Sequence, residues 1–299
     1  MRLLLDMPER AAYTARTRIA PTPSGYLHVG NGVAFLITAE LARQRSAVLR
    51  LRIDDIDAER TRPEYLEDIF STLAWLGIKW TEGPTDPADH AFGWSQSARL
   101  ERYLDRVDVL KEQGDLYACT CTRREMRAPT ATGRKPCGCR TREIAFDEPA
   151  AAWRLRIPSD AVVRMETLFG GPQLLKPADL IADPVIRQRS VDDRPGRPSY
   201  QIASLMDDVD HDVTFIVRGD DLLPSTACQL YMADRLGLEA FGAVAFLHHP
   251  LLADEHGDKL SKSDGAAALR SMRDQNKALD GLKRTAERTI ADLMRAPAT

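Results

Sequence analysis

A short loop between a strand pattern and a helix pattern carries the first residues that could do chemistry. Its sequence, PTPSGYLHVGN, runs over residues 21–31. Small residues and the amino end of a helix expose backbone N–H groups and partial positive charge, which suit a phosphate. His28 can hydrogen-bond a phosphate oxygen, and Gly30 lets a purine ring approach the backbone. The alternative is a tight turn with an incidental histidine.

A second reactive segment, KLSKS, lies near the other end of the chain at residues 259–263. Its lysines, Lys259 and Lys262, can neutralise the charge that builds on a triphosphate during attack at the α-phosphorus. Alone, such a segment is most often a solvated surface loop. The loop around His28 and the lysine segment together, in this order along an α/β chain, indicate nucleotide chemistry more strongly than either does separately.

Four of the five cysteines fall in one basic segment, residues 119–142, which holds seven Lys or Arg and one acid. They form two C-x-C pairs separated by 15 residues: Cys119, Cys121, Cys137 and Cys139. This spacing predicts a closed tetrahedral site for one structural Zn²⁺ per chain, and nearby basic residues favour thiolates. We expect the same basic segment to meet nucleic-acid phosphates. The alternative is four free thiols, and Cys228 is interpreted as a small buried apolar residue.

Composition limits the class of protein. The chain has 299 residues, 43% of them hydrophobic and 28% charged, which excludes disorder throughout. The net charge of −3 argues against a generally basic coat, so a polyanion must be met locally. The first residues, MRLLLDMPER, contain too short an apolar stretch for a signal peptide, and no apolar run reaches the ~20 residues of a membrane span. We expect a soluble, cytoplasmic protein without membrane association.

Strand and helix patterns alternate on either side of the cysteine segment. Strands are predicted at 18–20, 48–53, 153–157, 161–169, 184–189 and 213–217, helices from near 30, at 63–76, 97–113, 225–236 and from 266, and a strand or buried loop at 247–252. This alternation predicts an α/β fold with a doubly wound, Rossmann-like parallel sheet. The predicted divisions are a first core half at 1–115, a zinc-bearing insertion at 116–180, a second core half at 181–265 and a helical segment at 266–299.

Five motifs in this order resemble the catalytic core of the class I glutamyl-tRNA synthetases over about residues 16–265. They are RIAPTPSGYLHVGN, LRIDDID, Tyr200 with Asp207 and Asp208, IVRG at 216–219, and KLSKS. The match is nearest to a short subgroup, the glutamyl-Q tRNA(Asp) synthetases, which lack the anticodon-binding domain and carry zinc in their insertion. The resemblance implies tRNA-independent activation of L-glutamate with ATP and Mg²⁺, then transfer to queuosine in the anticodon of tRNA(Asp).

The resemblance also assigns roles residue by residue. It places glutamate against Arg18, Ala20, Thr22, Asp54, Tyr200 and Arg218. It places ATP against Pro21, His28, Gly30, Asn31 and Lys262, with His28, Lys259 and Lys262 as the catalytic groups. A guanidinium fork suits a carboxylate better than a lysine does, which fits Arg18.

Three positions depart from the usual pattern. Asp54 stands where the family usually has Glu, and Asn31 replaces the last His of the ATP signature, as the short subgroup tolerates. Gly133 stands where a tyrosine zinc ligand is expected, and Cys139 can supply the fourth thiolate instead. Two other hypotheses stay open: a truncated glutamyl-tRNA synthetase-like protein that charges another acceptor, and a catalytically silent tRNA-binding paralogue. We expect a monomer.

Overall fold

The computed structural model describes residues 14–122, 125, 137–192, 194–251, 269–275 and 279–295. The strands are β1 Arg16–Ile19, β2 Val48–Leu51, β3 Leu116–Cys119, β4 Ala152–Leu155, β5 Val163–Thr167, β6 Gln173–Leu175, β7 Val185–Arg187, β8 Phe215–Gly219 and β9 Ala245–His249. The α-helices are α1 Val29–Gln44, α2 Pro63–Leu76, α3 Pro87–Asp89, α4 Leu100–Glu112, α5 Pro177–Leu180, α6 Tyr200–Asp210, α7 Leu223–Arg235, α8 Glu239–Gly242 and α9 Leu279–Arg295. None of the described helices is both long enough and apolar enough to span a membrane.

The main sheet consists of two parts that lie side by side, a two-stranded part of order β2-β1 and a four-stranded part of order β8-β9-β5-β6. β1 pairs with β2, and β9 pairs with β8 and β5, all in parallel, while β6 is an antiparallel edge strand. β1 and β8 contact each other and are joined at their amino ends, where the N–H of Thr214 donates to the carbonyl of Arg16 at 2.9 Å. The predicted α/β fold with a parallel sheet is confirmed.

Side chains alternate across this sheet and fill a core on each face. Phe215 and Val217 pack with α1, α2 and α9, whereas Ile216 between them packs with α4, α6 and α7. This alternation follows from the two-residue period of a strand. Because helices cover both faces, the carboxyl ends of the strands are left open to form a site, as is typical of doubly wound folds.

A smaller antiparallel sheet, β3-β4-β7, carries the first cysteine pair at the end of β3. β5 lies in the predicted insertion, yet it pairs with β9 and so extends the main sheet. Its Val163 and Met165 are buried in the core that α7 covers. The division into four segments stays a prediction.

Local sequence signals predicted the positions of most helices and strands. α2 begins and ends as predicted, with Pro63 at its first turn and Gly77 in the left-handed conformation at its end. The helix predicted from residue 97 starts at Leu100 instead, after a 3-10 turn at Gln96–Arg99, because the Gln96 side chain is bonded to neighbouring segments. The undecided segment at 247–252 overlaps the carboxyl end of β9, whereas β3 and β6 were not predicted.

Gly83 lies where the chain passes very close to the backbone of β2. Its φ is 114°, and a Cβ atom at this position would meet the backbone oxygen of Leu51. Gly83→Ala should therefore destabilise the fold by about 1–3 kcal/mol through strain and collision. Thermal unfolding should show a clearly lower Tm, while Gly281→Ala in α9, where a Cβ meets open space, should leave Tm unchanged or raise it.

Candidate active site

A pocket of about 290 Å³ lies where the carboxyl ends of β1, β8 and β9 meet the amino end of α1. Its lining includes seven residues that the sequence assigns to the substrates: Arg18, Ala20, His28, Gly30, Asn31, Tyr200 and Arg218. The structure thus brings the predicted ATP loop and most of the predicted glutamate contacts into one cavity. Their individual roles stay predictions.

His28 is the N-cap of α1 and forms a reciprocal pair with Asn31. The backbone N–H of Asn31 donates to Nδ1 of His28 at 3.3 Å, and the backbone N–H of His28 donates to Oδ1 of Asn31 at 3.1 Å. Since Nδ1 accepts, the neutral ring carries its proton on Nε2. The backbone N–H at position 31 therefore sets the His28 tautomer as an Nε2 donor, while the Asn31 side chain completes the cap by accepting from the His28 backbone.

Three buried arginines converge on Asp208 at the base of the pocket. Nε of Arg18 donates to Oδ1 of Asp208 at 2.9 Å, and Nη1 of Arg52 donates to the same oxygen at 2.6 Å. Nη2 of Arg218 lies 3.7 Å from Oδ2 of Asp208. Burial acts to raise the pKa of Asp208, but the charges of these three arginines outweigh it and lower that pKa. Asp208 is therefore a buried carboxylate that fixes the arginines on the cationic side of the pocket.

Arg218 keeps hydrogen-bonding capacity for a ligand. Its Nη1 donates to Gln229 at 2.7 Å and to Thr226 at 3.0 Å. Its Nε and Nη2 are buried and make no hydrogen bond within the described part of the chain. Burial also lowers the pKa of this guanidinium. A carboxylate in the pocket would supply both the missing acceptors and the missing negative charge.

Asp54 does not line the pocket as described. Its carboxylate accepts from Arg52, Nε to Oδ1 at 2.6 Å and Nη2 to Oδ2 at 3.1 Å. Burial raises the pKa of Asp54, and the charge of Arg52 opposes that rise. Asp54 thus belongs to the network behind the pocket, and its predicted contact with the amino acid requires a different arrangement of this carboxylate.

The remaining predicted residues are placed as follows. Pro21 is buried and Thr22 is exposed, and neither lines the pocket. Lys259 and Lys262 lie outside the described residues. Gly133, at the position of the expected tyrosine ligand, also lies outside them.

Sequence reasoning missed two residues that organise the site, Arg52 and Gln96. Arg52 bridges Asp54 and Asp208, and its Nη2 donates to the hydroxyl of Ser204 at 2.9 Å. Gln96 donates to Asp207 at 2.8 Å and accepts from the backbone of Ile56 at 2.9 Å. The signal for Arg52 was a charged residue at the end of an apolar strand pattern, followed after Ile53 by two acids.

The four clustered cysteines can hold a metal ion. Their Sγ atoms lie within 4.8 Å of one another, with Cys119 to Cys137 at 3.3 Å and Cys121 to Cys139 at 3.5 Å. Tetrahedral Zn²⁺ with Zn–S bonds of about 2.3 Å needs sulfur atoms about 3.8 Å apart, so the donor set fits. Burial raises the pKa of the Cys121 thiol to about 12, so an incoming metal must displace its proton.

The chain matches a known protein family over most of its length. Residues 14–295 match the family of class I tRNA synthetases (E and Q), catalytic domain. The chain belongs to this family. The resemblance seen in the motifs is confirmed, and so is the predicted class of enzyme, an ATP-dependent ligase.

Individual relatives agree with this assignment. A glutamyl-Q tRNA(Asp) synthetase of Nitratidesulfovibrio vulgaris is 37% identical over 86% of this chain and 81% of the relative. A glutamate–tRNA ligase of Symbiobacterium thermophilum is 35% identical over 88% of this chain and 55% of the ligase. The crystal structure of a glutamate-tRNA synthetase from Elizabethkingia anophelis has a TM-score of 0.66 at 25% identity, covering 85% of this chain and 54% of that one. The chain therefore spans about half the length of these ligases.

Removing the shared counter-charge should destabilise the protein strongly. Asp208→Asn leaves buried arginines without their partner, which costs about 3–5 kcal/mol of unfolding free energy at neutral pH. Because the folded-state pKa of Asp208 lies below the ordinary value of about 3.9, the carboxylate's contribution is full above about pH 4 and is lost as the pH falls through the folded-state pKa.

Urea unfolding at several pH values measures this difference. The gap between wild type and Asp208→Asn should shrink only in acid, and Glu40→Gln at the exposed pair with Arg43 should cost less than about 1 kcal/mol at every pH. Equal stability of wild type and Asp208→Asn at neutral pH would contradict the role given to Asp208.

The metal site makes a separate prediction. The purified wild-type protein should hold about one zinc per chain, and Cys137→Ser or Cys139→Ser should lower that content. Cys228→Ala is the matched control, because Cys228 is buried in the core away from the cluster and should leave zinc unchanged. Metal analysis decides the matter: full zinc content in both serine variants would exclude the four-cysteine site.

Proposed function

We propose that this protein activates L-glutamate with ATP to form glutamyl-adenylate and pyrophosphate, without needing tRNA for that step. The observation that carries the proposal is the pairing, in one pocket, of Arg18 and Arg218 with the His28 cap of α1. The arginines offer buried cationic donors for a carboxylate, and the capped helix end offers N–H groups for phosphate.

The amino-acid half of the pocket would hold glutamate by its charges. Nε and Nη2 of Arg218 are the donors left for the side-chain carboxylate, and Arg18, fixed by Asp208, lies beside them. Tyr200, at the first turn of α6, adds a hydroxyl at the same wall. A neutral glutamine side chain would leave this cationic site without its counter-charge, so we expect glutamate to be preferred.

Chemistry in this reaction needs positioning and charge stabilisation, with no covalent enzyme intermediate. The α-carboxylate of the substrate is itself the nucleophile toward the α-phosphorus, and pyrophosphate leaves. Nε2–H of His28 would donate to a phosphate oxygen, and Lys259 and Lys262 would neutralise charge on the leaving group. Mg²⁺ would accompany ATP and needs few protein carboxylates, because the phosphates are its main ligands.

The proposed acceptor is queuosine in the anticodon of tRNA(Asp). The support is the relative named for this reaction, which this chain matches over 81% of its length, together with the four-cysteine cluster in the expected insertion. The basic segment around that cluster would contact tRNA phosphates, with affinity that falls as salt rises. We propose a monomeric, cytoplasmic enzyme.

A second candidate acceptor is the 3′ end of a tRNA. It is favoured by the glutamate–tRNA ligases that are 32–35% identical to this chain. Charging of tRNA(Asp) with and without queuosine separates the two candidates, because a glutamate ester on the nucleoside requires the modified base, whereas a 3′-terminal ester does not.

Glutamate-dependent exchange of pyrophosphate into ATP, measured without tRNA, tests the activation step. Wild type should be active, and Arg218→Lys should raise the KM for glutamate about 10- to 100-fold, since charged hydrogen bonds are worth about 1.5–3 kcal/mol. The matched control is Arg235→Lys, which lies at the carboxyl end of α7 and is partly exposed, and this variant should behave as wild type. No exchange by wild type would refute the proposed activation and favour the silent paralogue.

A further inference from the structure

A buried ion pair joins the segment at residues 269–275 to α2. Nη1 of Arg273 donates to Oδ1 of Asp68 at 2.8 Å and to the hydroxyl of Thr72, one turn further along the helix, at 2.8 Å. The side chain of Asp68 is 5% exposed and that of Arg273 is 17% exposed. Within the described residues, Arg273 is the single cation paired with Asp68. The carboxylate would therefore be left uncompensated in a low-dielectric site without it.

The other carboxylate oxygen of Asp68 contacts the loop that leads into His28. The backbone N–H of Leu27 donates to Oδ2 of Asp68 at 3.5 Å, and the Leu27 side chain is buried. One carboxylate thus connects two segments that are more than 240 positions apart in the sequence. Leu27 directly precedes His28, the N-cap of α1, so Asp68 acts on the position of the capped helix end.

Two further contacts tie the same segments together. The guanidinium of Arg270 lies over the ring of Tyr26, 4.6 Å from its centroid. The buried side chain of Leu269 packs against α1 at Gly32, where an added Cβ would come within 3.3 Å of its Cδ1. Gly32 therefore permits the close approach, and the loop at residues 26–28 and the segment at 269–275 are packed as one unit.

We propose that Asp68 and Arg273 are positioning residues for ATP. They hold the His28 loop against the segment at residues 269–275, which follows KLSKS along the chain. This inference rests on the proposed function, which assigns ATP to His28 and to Lys259 and Lys262. Neither Asp68 nor Arg273 lines the pocket, so both act through the loop rather than on the substrate.

The amino-acid half of the pocket is held by different contacts. Arg18 and Arg218 lie on β1 and β8 and are fixed by Asp208, which shares no bond with Asp68 or Arg273. Breaking the Asp68–Arg273 pair should therefore change the kinetics of ATP and leave those of glutamate unchanged. A purely structural role would instead lower the fraction of folded enzyme and affect both substrates equally.

Pyrophosphate exchange with each substrate varied in turn tests this inference, using the full chain. Arg273→Met keeps the apolar stem and removes the charge, and Asp68→Asn keeps an acceptor oxygen for Leu27. Each should lower kcat/KM for ATP roughly 10- to 100-fold, because small displacements of a positioning element cost rates of this order. The KM for glutamate should stay within about twofold of wild type, and Arg273→Lys should recover part of the loss.

The matched control is Arg43→Met, which removes an arginine from an exposed pair with Glu40 on α1 and should leave both substrates unaffected. ATP binding measured by calorimetry gives a second readout that needs no turnover. Unchanged ATP kinetics in both variants, or an equal loss for ATP and glutamate with a lowered Tm, would overturn the inference while leaving the proposed function intact. Absence of exchange in wild type would instead overturn the proposed function, and unaltered ATP binding in Arg273→Met would then overturn this inference as well.

Discussion

The constraint on which this structure depends is the burial of three guanidinium groups at one point. Arg18, Arg52 and Arg218 are each at most 5% exposed. Removing such ions from water costs several kcal/mol each even after relaxation, so the fold must supply counter-charges in good geometry. Asp208 supplies the shared one, and its neighbour Asp207 extends the network to Gln96.

The order of strands explains why these arginines meet. β2, β1 and β8 are adjacent in the sheet, and each arginine lies at or just beyond the carboxyl half of its own strand. Neighbouring strands are about 4.8 Å apart, so three long side chains from one edge reach the same space. α6 crosses that edge and presents Ser204 and Asp208 one turn apart, which satisfies Arg52 from both positions. The cationic pocket is thus a consequence of topology.

Local sequence signals predicted the elements whose ends are set by local chemistry. Pro63 and Gly77 fixed α2 at both ends, and the apolar, β-branched run VTFIV at 213–217 indicated a strong strand. β3 was not predicted, because its four buried residues, LYAC, include no β-branched residue that would distinguish a buried strand from a buried helix segment. α4 starts later than predicted, because the Gln96 side chain is hydrogen-bonded to Asp207 and to the backbone of Ile56. No local sequence pattern reveals these contacts.

The candidate site was predictable to the extent that motifs carry it. Arg18, Tyr200 and Arg218 were assigned by the resemblance to the family, and His28 also by its place at the start of a helix, and all four line one pocket. The organising role of Arg52 depends on partners 152 to 156 positions away, so it appears only once the chain is folded. The resemblance to the family placed Asp54 toward the amino acid, and the folded chain pairs its carboxylate with Arg52.

The cysteine cluster is joined to the rest of the fold by a second buried carboxylate. Asp183 accepts from the hydroxyl of Tyr117 at 3.0 Å, from Nη1 of Arg140 at 3.1 Å and from the backbone N–H of Ile157 at 3.1 Å. Tyr117 lies on β3 before the first cysteine pair, and Arg140 directly follows the second. Asp183 therefore links the elements that carry both cysteine pairs to the β3-β4-β7 sheet. A bound metal would join the two pairs directly, and Asp183 would support that site from behind the ligands through Tyr117 and Arg140.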